Sequence, residues 1–224
     1  MEFGCHDPQQ HGKQYVELGL DRAAIELYRE VVTELPQLTF SPVREALVYS
    51  NLGGVYVEIG QLDSARYYFD KGEAIGLAEQ SPEILAVLYT NLTNLRLAEG
   101  DTAGALRASR LAEENGQQIN IPVYWANIQL ESGRSWLAAG QPQRALACFD
   151  STLVLAQALQ IPYFHYQAKI QQAKAYQQLG QHRKAWEALQ IGQTISEHYQ
   201  RESRAAISQV EQGLHEELSR RENR

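Results

Sequence analysis

The chain has 224 residues, and a hydrophobic fraction of 44% is enough for a continuous core. Its formal charge of -7 disfavours nucleic acid and anionic membranes, since both are bound through basic residues that displace counterions. No apolar run approaches the roughly 18 residues of a membrane span, no signal peptide opens the chain, and two cysteines cannot frame a disulfide scaffold. A cytoplasmic protein with structural thiols is expected.

Residues 1–7 precede any pattern and read as a disordered or cloning-derived start. After them a glycine recurs every forty residues at Gly60, Gly100, Gly140 and Gly180. Five positions after each comes Ala65, Ala105, Ala145 or Ala185, and Pro42, Pro82, Pro122 and Pro162 keep the same interval. Gly19 and Ala24 fit one residue out of step. A fixed interval of this length marks a tandem repeat. The units are about 8–38, 41–78, 81–118, 121–160 and 161–200.

Each unit reads as a helical hairpin. In the first, helices are expected over 8–18 and 21–35. In the second, Leu47, Val48, Leu52, Val55 and Tyr56 are spaced three and four apart, as one helical face requires. Ser41-Pro42 carries start signals, and Gly60 supplies a left-handed stop. A second helix runs from Asp63 to about Leu77, with Ala65, Tyr68, Phe69 and Gly72 towards the first. The later pairs are expected at 83–99 and 102–116, 123–139 and 142–159, and 163–179 and 182–199. Over 201–224 a last helix, about Ser203 to Glu222, carries Ile207, Val210, Leu214 and Leu218 on one stripe. It is either a cap over the last hydrophobic face, which solenoid ends require, or the start of a coiled coil leading into a further domain. In the second case it would also support a homo-oligomer.

The pattern resembles the tetratricopeptide repeat (TPR). The small–aromatic pair of that signature is matched by Gly12 and Tyr15, Gly53 and Tyr56, Gly133 and Trp136, and Ala173 and Tyr176. Its large apolar place holds Tyr28, Phe69, Phe149 and Leu189. The third unit departs, with Thr93 and Arg96 for the pair and Ser109 for the large residue, so its junction is expected to be looser or more polar. The period is forty rather than the usual 34 or so, which places extra residues in the second helix. Long repeats of this kind look like those of MalT-type, Rap-type and Pins-type arrays. The resemblance implies an all-α, right-handed solenoid of five hairpins plus the C-terminal helix, whose concave wall is lined by first helices.

That alignment assigns a peptide-binding groove to Ser50, Asn51, Asn91, Asn94, Glu131, Arg134, Gln171 and Lys174. Asn51, Asn91 and Gln171 share one repeat position. An amide both donates and accepts, so such a ladder could hold the backbone of an extended peptide, as asparagines do in long-repeat TPR families. Arg134 and Lys174, one turn along, would select acidic residues. The chaperone-type carboxylate clamp is not expected, because Gln9 stands at its early lysine position.

Neither a catalytic motif nor HExxH or paired-metal spacing appears among the six histidines, so no enzyme, cofactor or metal site is expected. Two functions follow from the resemblance. One is an adaptor or scaffold that binds a protein or peptide ligand in its groove. The other is the sensory or oligomerising segment of a multidomain signal-transduction regulator, such as a transcription activator, kinase or nucleotide cyclase.

Overall fold

The structure, a computed structural model, describes residues 41–222 together with Ile25, Arg29 and Val32, and their side chains as far as Ala205. The regular elements of this region are all α-helices: α1 (Pro42–Glu58), α2 (Leu62–Ala78), α3 (Pro82–Ala98), α4 (Thr102–Gly116), α5 (Pro122–Ala138), α6 (Pro142–Leu159), α7 (Pro162–Gln178) and α8 (His182–Glu222). They pair as four hairpins stacked into an α-solenoid. The connections are short, so the length added over a 34-residue repeat is helical.

The recurring residues do the work expected of them. Proline opens α1, α3, α5, α6 and α7, where a missing amide proton costs nothing. Gly60, Gly100, Gly140 and Gly180 take φ of 75°, 76°, 69° and 69°, a conformation a Cβ disfavours. The residue after each glycine returns its amide to the ending helix. Gln61 N donates to Tyr56 O, Asp101 to Arg96, Gln141 to Trp136 and Gln181 to Tyr176, each at 2.9 Å. The helix starts differ from one another. Ser41 makes no side-chain cap, whereas Ser81 accepts from Ile84 N at 3.4 Å and Asp101 from Gly104 N at 2.8 Å.

Within a hairpin, small residues set the helix separation. Ala65, Ala105 and Ala145 are fully buried, and Gly53 and Gly133 lie against the rings of Phe69 and Phe149. Apolar burial gathers in two main clusters. One is centred on Leu52, Tyr56, Phe69 and Leu88, the other on Leu130, Phe149, Phe164 and Ala168. Between them lies a smaller cluster of Ala86, Ala112 and Ile128. The third unit is thus more polar, but it is closely packed. Thr93 is fully buried and donates to Tyr89 O at 2.8 Å; Ser109, also buried, donates to Leu106 O at 3.2 Å. Each hydroxyl is satisfied by its own helix.

The C-terminus departs from the expected layout. No break separates the last hairpin from a helix beginning near Ser203, because α8 is one helix of 41 residues. The segment from Tyr199 to Arg204 holds neither glycine nor proline, and His198 pairs with Glu202 at 3.2 Å across one turn. A continuous helix cannot fold back over its own hairpin. The expected first unit, with Gly12, Tyr15, Gly19, Ala24 and Tyr28, and the segment 1–7 lie outside the described residues. Ile25 and Val32 pack on the first cluster, and Arg29 Nε donates to Tyr56 Oη at 2.8 Å.

Candidate functional site

The pattern of helix contacts sets the curvature. Successive first helices touch, α1 with α3, α3 with α5 and α5 with α7, whereas successive second helices share at most glancing contact. The first-helix side is therefore the shorter path, and α1, α3, α5 and α7 line the concave wall.

Four of the eight groove residues are buried in that wall. Ser50 is fully buried and faces Gly72 of α2, so it belongs to the hairpin interior and not to the groove surface. Asn91 is 6% exposed, and its Nδ2 donates to Ser50 O at 3.1 Å. The expected backbone reader therefore already holds a helix backbone of its own chain. Glu131 and Gln171, at the same repeat position, are buried as well. The reason is geometric: helices that touch along their length turn this position into the seam between them. Asn51, Asn94 and Arg134 are half-buried, and Lys174 is exposed.

Arg134 is the centre of the wall. Its guanidinium donates to Asn94 Oδ1 on α3 and to Glu131 Oε2 on its own helix, both at 2.9 Å. The Glu131 carboxylate holds the guanidinium pKa above its ordinary value against the opposing effect of burial; Tyr163 and Glu58 contribute further. Lys174, one repeat on, is pushed the other way. Burial lowers its pKa, and the nearby Arg134 lowers it further. No carboxylate pairs with Lys174 among the described residues. Of these two adjacent cations only Arg134 has a carboxylate partner, Glu131, so the ammonium of Lys174 is left to meet an anionic group.

Sequence reasoning missed several links between units. Gln178 Nε2 donates to Leu137 O at 3.3 Å, with the same offset of 41 residues as Asn91 to Ser50. Arg66 joins α2 to α3 through Glu99 at 2.7 Å, and Gln172 reaches Asp150 at 2.6 Å. Testing polar pairs 40 residues apart would have found Arg134–Asn94; the links that end on a backbone carbonyl, and Arg66–Glu99 and Gln172–Asp150, have no such signature. Among the described residues, no helix is long and apolar enough to cross a membrane. No group of three or more His, Cys, Asp or Glu there could hold a metal ion.

No protein-family model matches the chain, and no curated protein matches it. Solved structures do. A putative kinesin light chain of Podosopora anserina, built of nearly identical TPR-like repeats, is 22% identical with a TM-score of 0.56, over 87% of this chain and 95% of that one. BtubC (BKLC) of P. vanneervenii is 21% identical with a TM-score of 0.62, over 84% of this chain and 74% of that one. A signal transduction ATPase with numerous domains and a tetratricopeptide repeat sensor, from Pyrococcus horikoshii, is 21% identical with a TM-score of 0.63. There the match spans 87% of this chain and 30% of that one. The architecture is thus a TPR-like solenoid, and at these identities the likeness concerns the fold alone.

Proposed function

We propose that this chain is a non-enzymatic TPR-family interaction module that binds an extended, acidic protein segment along its concave wall. The observation that carries this reading is Lys174: exposed, without a carboxylate partner among the described residues, and held beside Arg134. An arriving carboxylate relieves the repulsion between the two cations and is itself stabilised. Arg134 is aimed by Asn94 and Glu131, so it does not have to be ordered on binding. Asn51 and Asn94 supply neutral donors and acceptors on either side. The overall charge of -7 opposes acidic ligands at long range, so affinity depends on this local patch.

The experiment is a titration of a labelled Glu-rich peptide followed by fluorescence anisotropy. Lys174→Ala is expected to weaken binding about tenfold, roughly one charge-assisted contact, with unchanged thermal unfolding. Equal affinities for wild type and Lys174→Ala would remove the groove reading.

A second reading, the sensory segment of a longer regulator related to MalT-type arrays, draws support from the multidomain ATPase, of which this chain matches 30%. An open reading frame that continues past Arg224 into an effector domain would support it, and one that stops there would remove it.

A further inference from the structure

The exposed aromatic at the end of the solenoid has an apolar counterpart one unit earlier. Trp186 of α8 is 63% exposed. One repeat earlier stands Leu146, which is half-buried and packs on the cluster that includes Ala168 and Ala175 of the next first helix. Trp186 and the half-buried Leu189 thus form a socket built for one more helix, running antiparallel to α8 as each next first helix does.

The only continuation that the described chain offers is α8 itself. It outruns α7: the ring of Tyr199 lies 5.9 Å from that of Tyr166, near the start of α7. The helix runs on to Glu222, about 34 Å further at about 1.5 Å per residue. A helix in a protein draws most of its stability from the packing of an amphipathic face. Along it, positions 186, 189, 193, 196, 200, 203, 207, 210 and 214 recur at alternate steps of three and four, one seam of a heptad pattern. The two ends of the seam are apolar (Trp186 and Leu189; Ile207, Val210 and Leu214), and the middle is polar (Gln193, Ser196, Gln200 and Ser203).

We infer that two copies of this chain pair through α8, antiparallel, with the two-fold axis near His198. In that register position 207 lies opposite Leu189 and position 210 opposite Trp186, while 193 meets 203 and 196 meets 200. Apolar meets apolar, and polar meets polar. The same pairing brings Glu211 towards Arg183, whose side chain is 93% exposed. Capping in cis is excluded, because position 207 stands about 31 Å from Trp186 along one unbroken helix. Capping in trans is reciprocal, as a two-fold interface requires. The inference is independent of the groove, which lies on the first-helix wall.

Light scattering of the full chain measures it, with twice the chain mass as the expected result. Trp186→Ser and Val210→Asp each convert the dimer to monomer, while circular dichroism remains that of a folded helical protein. Gln193→Cys with Ser203→Cys in one chain gives a disulfide-linked dimer on mild oxidation, which wild type, with only Cys5 and Cys148, does not. Those two positions are about 15 Å apart along one helix, so the bond forms only between chains. A monomer at concentrations near 0.1 mM overturns the inference, as does a dimer that survives Trp186→Ser combined with Val210→Asp.

Discussion

Asn91 Nδ2 donates to the main-chain carbonyl of Ser50 at 3.1 Å, tying α3 to α1 across one repeat. Its role is therefore structural. Asn91→Ala is expected to lower stability by about 1 kcal/mol, the usual net worth of such a bond, and to leave acidic-peptide affinity unchanged. Urea unfolding and anisotropy on the same variant check both halves. A drop in affinity at constant stability would restore the amide-ladder reading.

Gly53 is a helical glycine that cannot be improved. A Cβ there would stand 2.5 Å from Cε1 of the fully packed Phe69 ring. An exposed helical glycine gains about 1 kcal/mol on change to alanine. Gly53→Ala should instead cost about 1–3 kcal/mol by overpacking, as should Ala105→Leu at its fully buried site. Thermal unfolding decides it; a rise in Tm for Gly53→Ala would mean that the hairpin is looser than described.

Gln160 ends α6 with φ of 54°, the conformation that Gly60, Gly100, Gly140 and Gly180 take within the hairpins and that Gln80 shares at 49°. A left-handed residue with a Cβ is strained by about 1–2 kcal/mol, part of which glycine returns as lost chain entropy. Gln160→Gly should therefore stabilise the protein by about 0.5–1 kcal/mol, read as a higher midpoint in urea. Gly140→Gln should do the reverse.

Cys148 is half-buried in α6, and burial pushes its thiol up to about 11, with Glu113 adding to the shift. The thiolate is the reactive form. Alkylation by iodoacetamide in the folded protein should be slow at pH 8 and climb steadily to about pH 11, well above the range of a free cysteine. A plateau near pH 9 would contradict this.

The hairpin architecture was legible because it rests on residues with strict local requirements. Gly60 must take a positive φ, Pro42 must sit in a first turn, and Ala65 must be small, so periodicity alone located them. The departures have equally local causes. Ser41 and Ser81 look alike in sequence, but only Ser81 turns its hydroxyl to the helix start. The fused α8 was missed because helix continuation there depends on the absence of a stop signal rather than on a positive one. The groove was harder. Repeat position identifies which residues face the neighbouring unit, but the approach of α1 to α3 decides whether Asn91 meets a ligand or Ser50. Lys174 stayed accessible because it lies one turn beyond that seam.

Charge inversion at Lys174 bears hardest on the reading of the concave wall. Wild type and Lys174→Glu are titrated with matched Glu-rich and Lys-rich peptides at low salt. Wild type should prefer the Glu-rich peptide, weakening as salt rises, and the variant should reverse that preference with its thermal unfolding unchanged. The same rank order in both proteins would show that acidic segments are not recognised at this site.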